Sequence, residues 1–251
     1  MSILDQITKS INLTDVDFEP FSHMYINNFF EKDFYLKILE SLPNKKDYIQ
    51  INKSGSVSKE YADERFIYDI TPEKIKNFKE NNKKVFTDLA NAFFSPNFFS
   101  AVCSKFKPTI DDRINNFSKE EIELYGKNNF NFEGRIALVK DCTKYQLGAH
   151  TDLSNKFLTF LFYLPKDNSL KEIGTSLYKP INKEVLKTFS PHYTMEETRN
   201  NFEEIIKTEF LPNSVLIFPR TNLSYHGVSS INIGSKERNL LLLNFYLKKI
   251  K

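Results

Sequence analysis

The chain has 251 residues, 40% of them apolar, with 24 Phe and 12 Tyr but no Trp, and its 35 basic and 32 acidic side chains leave a net charge of +3. That size and apolar content suit a folded protein with a substantial core, and a near-balanced charge without a dense Lys/Arg block argues against nucleic acid as a partner. Two cysteines, Cys103 and Cys142, are too few for a disulfide framework, no secretory leader opens the chain, and no apolar run reaches the ~18 residues of a membrane span, so a soluble, cytoplasmic protein with no membrane partner is expected.

In chain order, residues 20–30 read as an edge strand leading into a turn. A helix over 31–42 follows, with Tyr35, Ile38, Leu39 and Leu42 on one stripe and Pro43 as its stop. Residues 44–64 are polar and predict loop or ragged strand, with Gly55 at a turn. Thr71 before Pro72 is an N-cap signal for a helix running to Phe94, with Val85, Leu89 and Phe93 on one face. Ser95-Pro96 repeats that signal, and Ser118 with Glu121 forms a capping box ahead of a short helix stopped by Gly126. Residues 1–128 are therefore expected to be a helical support region, whose single apolar stripes need a sheet to cover.

From residue 129 the pattern changes to short strands over 134–139, around His150, and over 157–164, 174–178, 215–218 and 239–247. Their β-branched and aromatic content, separated by Pro, Gly and Asn turns, predicts a two-sheet jelly roll over 129–251. The expected fold class is α+β, mainly β: a double-stranded β-helix (jelly roll) core braced by N-terminal helices, forming one domain over 1–251. The charged stretch 179–208, with a capping box at Thr194 and Glu197, interrupts the strands and predicts a helix-bearing lid near the mouth of the barrel.

His150 and Asp152 stand two residues apart, so an extended backbone sends both side chains to one face. His226 follows an apolar run and a Pro, where a neighbouring strand would return its imidazole to that pair. Two imidazoles and a carboxylate make the facial triad that holds non-haem Fe(II) with open positions. An isolated histidine is more often a hydrogen-bonded structural residue, but the chain has only four histidines and two fall on this pattern. Arg238 heads the apolar run 239–247, which argues for a buried guanidinium in need of a carboxylate, rather than a surface pair with Glu237.

With these residues in place the sequence resembles the Fe(II)- and 2-oxoglutarate-dependent dioxygenases, and within them the prolyl-hydroxylase-like branch of bacteria and phages. The resemblance rests on His150, Asp152, His226 and Arg238 in that order, and on the words FLTFLFYLP (157–165), GTSLY (174–178) and PNSVLIF (212–218). It covers about 130–251 well and the first third loosely. It implies that His150, Asp152 and His226 bind iron and carry catalysis, and that Arg238 holds the far carboxylate of 2-oxoglutarate. Tyr145 and Thr159 are the hydroxyl residues it would place against the co-substrate. The implied reaction is hydroxylation of a C–H bond in a small-molecule or peptidyl substrate, with succinate and carbon dioxide released and ascorbate as an auxiliary reductant. Asp152 separates the chain from halogenating relatives, which have a small residue there. Leu240 is a departure, because many relatives carry Ser or Thr two residues after the Arg. Arg135 is a further pocket candidate, whereas His23 and His192 have no spacing that ties them to the site. The competing readings are a cupin-type metal- or sugar-binding module, which would not need Arg238, and a nucleic-acid demethylase, which the charge does not support.

Overall fold

A computed structural model describes residues 1–55, 63–128, 130–182, 185 and 192–250. Among the described residues, seven helices occupy most of the first half: α1 Ile3–Leu13, α2 Lys32–Glu40, α3 Pro72–Lys76, α4 Glu80–Phe93, α5 Pro96–Lys105, α6 Lys107–Asn115 and α7 Lys119–Tyr125. The strands are β1 Met24–Ile26, β2 Ile49–Gln50, β3 Arg65–Asp69, β4 Phe132–His150, β5 Lys156–Tyr163, β6 Ser176–Pro180, β7 Phe202–Lys207, β8 Ser214–Pro219 and β9 His226–Leu247, with helix α8, Met195–Asn201, ahead of β7. They pair antiparallel in the order β1-β8-β5-β9-β4-β3-β2, while β6 and β7 continue from the first residues of β9. The result is a curled sheet of jelly-roll type, because β4 and β9 are long enough to run through both of its halves.

The period-two rule sorts the sheet cleanly. On β5, Leu158, Phe160 and Phe162 join the core under the helices, while Tyr163 and the partly buried Leu161 line the inner cluster. The same alternation puts Ile136 and Leu138 of β4 and Leu241 and Leu243 of β9 under the helices, and Ala137, Val139 and Leu240 inside. Aromatic rings bind the two layers: Phe93 of α4 stacks on Phe162 at 5.1 Å, and Phe98 and Phe99 of α5 meet Phe160 and Phe245 at 5.6 and 4.8 Å. The helical region thus braces one face of the sheet and leaves the other for the site.

The helix expected over 71–94 is two helices. Phe78 lies between them and packs its ring on Phe86 of α4 at 5.0 Å and on Tyr68 of β3 at 5.9 Å, a gain that a continuous helix would forgo. Helix α1, with a Ser2–Asp5 capping box and Ile7 and Ile11 fully buried, was not among the expected elements. The segments 134–139 and the His150 strand are one strand, β4, and His226 is the first residue of the neighbouring strand β9. The interruption after β6 carries the expected cap at Thr194 for α8, and its last part, β7, pairs with β6; residues 183–184 and 186–191 lie outside the described residues.

Candidate metal centre

His150 ends β4, His226 begins β9, and the register sets them directly opposite each other, with ring centroids 4.2 Å apart. Asp152 follows two residues beyond the strand end. One ligand atom from each of the three lies within 4.8 Å of the others, and all three residues are buried. Each imidazole is oriented by the same device: Nδ1 of His150 meets the Gly148 carbonyl at 3.1 Å, and Nδ1 of His226 meets the Ser224 carbonyl at 3.0 Å. A carbonyl only accepts, so the proton sits on Nδ1 and the Nε2 lone pair is left for a metal.

The protonation states suit a cation. Burial lowers the pKa of His150 well below the ordinary 6.5, helped by the neighbouring His226, and burial lowers that of His226 as well. Burial alone would raise the Asp152 carboxyl, but the charge of the Lys156 ammonium and its hydrogen bond to the carboxylate outweigh it and hold the group below the usual carboxylate range. Two neutral imidazoles and one carboxylate are what a divalent ion requires of its ligands.

Residues that the sequence reading did not single out hold this arrangement. Lys156 donates from Nζ to Asp152 Oδ1 at 2.7 Å, and Arg220 donates from Nε to the Asp152 carbonyl at 3.2 Å. Arg113 donates to the carbonyls of Lys156 and Ser154 at 2.8 and 2.7 Å, which pins the loop after the triad pair. Lys156 follows Asp152 by four residues with a turn between them, so only the folded loop brings the two together. Thr159, expected against the co-substrate, donates its hydroxyl to Asp152 Oδ2 at 2.6 Å and so touches the metal ligand. His192 lies with its ring parallel to His150 at 5.3 Å, although its sequence spacing gave no reason to place it there.

Arg238 is 1% exposed and stands on the inner face of β9. Its guanidinium lies over Phe210 at 4.9 Å and near the Tyr163 ring at 5.9 Å, both members of the inner cluster that includes Phe218, on which His226 packs at 4.7 Å. The triad and the guanidinium therefore share one apolar interior. The Tyr163 hydroxyl is 2.8 and 2.7 Å from the hydroxyls of Thr175 and Thr208. Tyr163 follows Thr159 by four residues on β5, so alternation along the strand was a signal that could have found it. Arg238 does not pair with Glu237, which instead holds Lys140. Its Nη1 donates to Asp141 Oδ2 at 2.8 Å and its Nε to the Ile173 carbonyl at 2.9 Å, while Nη2 is buried without a partner. Tyr145 packs with Val228, Ile231 and Ile233 and lies under the Arg65 guanidinium at 4.6 Å. Arg135 pairs with Asp69 on the neighbouring strand.

The donor set fits a first-row divalent ion, and the partnerless Nη2 of Arg238 is a buried donor suited to a carboxylate oxygen. No protein-family model matches the sequence, and no curated protein is similar to it in sequence. Solved structures are similar in fold. The non-haem alpha-ketoglutarate-dependent epimerase SnoN from nogalamycin biosynthesis matches 97% of this chain and 80% of its own, with a TM-score of 0.50 and 6% identity. A prolyl-4-hydroxylase of Pseudomonas putida matches over 98% and 99% at TM-score 0.48 and 9% identity. HygX of Streptomyces hygroscopicus, solved with nickel and 2-oxoglutarate bound, matches over 89% and 82% at TM-score 0.46 and 11% identity. At these identities the likeness is one of fold. In fold the chain is similar to that epimerase, and its His-Asp-His triad is set where β4 and β9 meet.

Proposed function

We propose that the protein is an Fe(II)- and 2-oxoglutarate-dependent dioxygenase that hydroxylates a C–H bond of a small-molecule or peptidyl substrate. The observation that carries this reading is the buried convergence of His150, Asp152 and His226, with both imidazoles oriented through Nδ1. The three would hold iron, which in this class supplies oxidation of a C–H bond coupled to conversion of 2-oxoglutarate to succinate and carbon dioxide. Arg238 would take the far carboxylate of the co-substrate on Nη2, with the Tyr163 ring beside it, and the apolar inner cluster would keep water from the reacting centre. Thr159 and Lys156 would keep the Asp152 carboxylate in place for the metal, and Tyr145 would act at one remove, through Arg65.

Residues 192–198, the described part of the 179–208 stretch that meets β4, would belong to the substrate-contacting lid. His192 lies on His150, the Tyr193 N–H donates to the Ala149 carbonyl at 3.0 Å, and the Thr198 hydroxyl accepts from the Ala149 N–H at 2.8 Å. SnoN and HygX have been solved with nogalamycin RO and hygromycin B respectively, which favours small molecules as the first candidates to try. The fold also hosts an epimerase, so the outcome at the substrate carbon has to be read from the product. The test is succinate release by the anaerobically reconstituted protein across a panel of amino acids, prolyl peptides and glycosides, with products identified by mass. Iron binding without any succinate above background would favour the cupin-type binding module.

A further inference from the structure

Arg65, Asp141 and Arg238 form one row across three adjacent strands, since the register pairs Arg65 of β3 with Asp141 of β4, and Asp141 in turn with Arg238 of β9. Asp141 is fully buried, and its Oδ2 accepts from both arginines, from Arg238 Nη1 at 2.8 Å and from Arg65 Nη1 at 3.4 Å, the latter nitrogen also lying 3.2 Å from Oδ1. A lone guanidinium in an apolar interior would grip a ligand carboxylate with two nitrogens. Here two of the three nitrogens of Arg238 are committed to Asp141 and to the Ile173 carbonyl, and Nη2 alone is left, buried and without a partner. Asp141 thereby fixes which edge of the guanidinium faces a ligand. It would also cancel the charge of Arg238, were it not shared with a second guanidinium.

We infer that Asp141 and Arg65 are positioning residues for the carboxylate clamp: Asp141 turns Nη2 of Arg238 toward the co-substrate, and Arg65 draws on Asp141 so that Arg238 keeps its attraction for an anion. This rests on the reading of Arg238 as the 2-oxoglutarate clamp. The consequence is an unusual pattern of coupling. Removing Arg65, which need not touch the co-substrate, leaves Asp141 to Arg238 alone and weakens the clamp. Removing the charge of Asp141 in that background releases Arg238 again.

The experiment is calorimetric titration of 2-oxoglutarate into the Mn(II)-loaded protein, with Mn(II) affinity measured in parallel. Arg65→Leu is expected to weaken 2-oxoglutarate binding at least tenfold with Mn(II) affinity unchanged, and Arg65→Leu with Asp141→Asn to recover to within about threefold of wild type. Arg65→Gln, a milder change, gives the same reading if the leucine variant does not fold. A row that merely ties strands together gives a double variant at least as weak as the single one, and that result overturns the inference, as does a single variant that binds like wild type. Arg238→Met separates the two levels. If it binds 2-oxoglutarate normally, the clamp itself is wrong; if it loses binding while the Arg65 variants do not, only the positioning role falls.

Discussion

Lys156 holds its ammonium 2.7 Å from Oδ1 of Asp152, so the carboxylate offered to a metal already carries a cation on one oxygen. Both partners are largely buried, with side-chain exposures of 15% and 9%. Lys156→Met strands the carboxylate, and loss of one member of a buried pair costs about 3 kcal/mol or more. We expect the metal-free variant to melt well below wild type and Mn(II) to restore most of the difference, because the ion replaces the missing charge. Equal melting temperatures without metal would show that the pair does not govern Asp152.

His150→Ala should abolish tight binding of Fe(II) or Mn(II), since two ligands on separate elements no longer close a facial site. Calorimetry with Mn(II) under nitrogen reads this directly, and an unchanged affinity would remove the triad assignment.

Arg238→Met should leave Mn(II) affinity intact and cost about 2–5 kcal/mol of 2-oxoglutarate binding, the range found when one partner of a buried charge pair is truncated. The apparent 2-oxoglutarate requirement for succinate release should rise in step.

Acid should destabilise the metal-free protein earlier than its carboxylates alone would. His150 and His226 have folded pKa values below 6.5, so below that pH the unfolded chain binds protons that the folded chain refuses. The stability they contribute is present above pH 6.5 and falls as pH drops, with the first loss between about pH 6.5 and 5.5. Urea melts across that window should show the slope, and His150→Gln with His226→Gln should flatten it.

Gly148→Ala tests how the wall of the site is seated. A Cβ there would lie 2.1 Å from the Tyr193 carbonyl oxygen and 2.9 Å from the Thr198 hydroxyl, so the segment bearing His192 must move away from β4. Overpacking of this kind costs roughly 1–3 kcal/mol. The variant should melt lower and lose substrate-stimulated succinate release more than slow uncoupled turnover, both measurable with metal and co-substrate in excess.

The triad was legible because ligand chemistry is local: two residues of spacing put His150 and Asp152 together, and a strand start returned His226. The jelly-roll core and its helical brace were legible from periodicity, since the alternation on β5 and the stripe on α4 each declare a buried face. Asp141 was not, because an aspartate in an apolar run reads as an interruption until the β3–β4–β9 register sets an arginine on either side of it. Lys156 and His192 were hidden for a related reason. Lys156 comes beside Asp152 only through the turn between them, and His192 meets His150 across an isolated bridge, contacts that no periodicity announces.

The two strands that carry the site do not keep step with each other. From the Cys142–Glu237 pair to the His150–His226 pair β4 takes eight residues and β9 takes eleven, with register shifts along the way and left-handed backbone at Thr143 and at Gly234 opposite it. Those surplus residues are taken up as bulges in β9, between the row holding Arg238 and the histidines. Deleting one residue of that slack would leave every functional side chain present and yet shift the register by one, turning the residues on one side of the deletion to the opposite face.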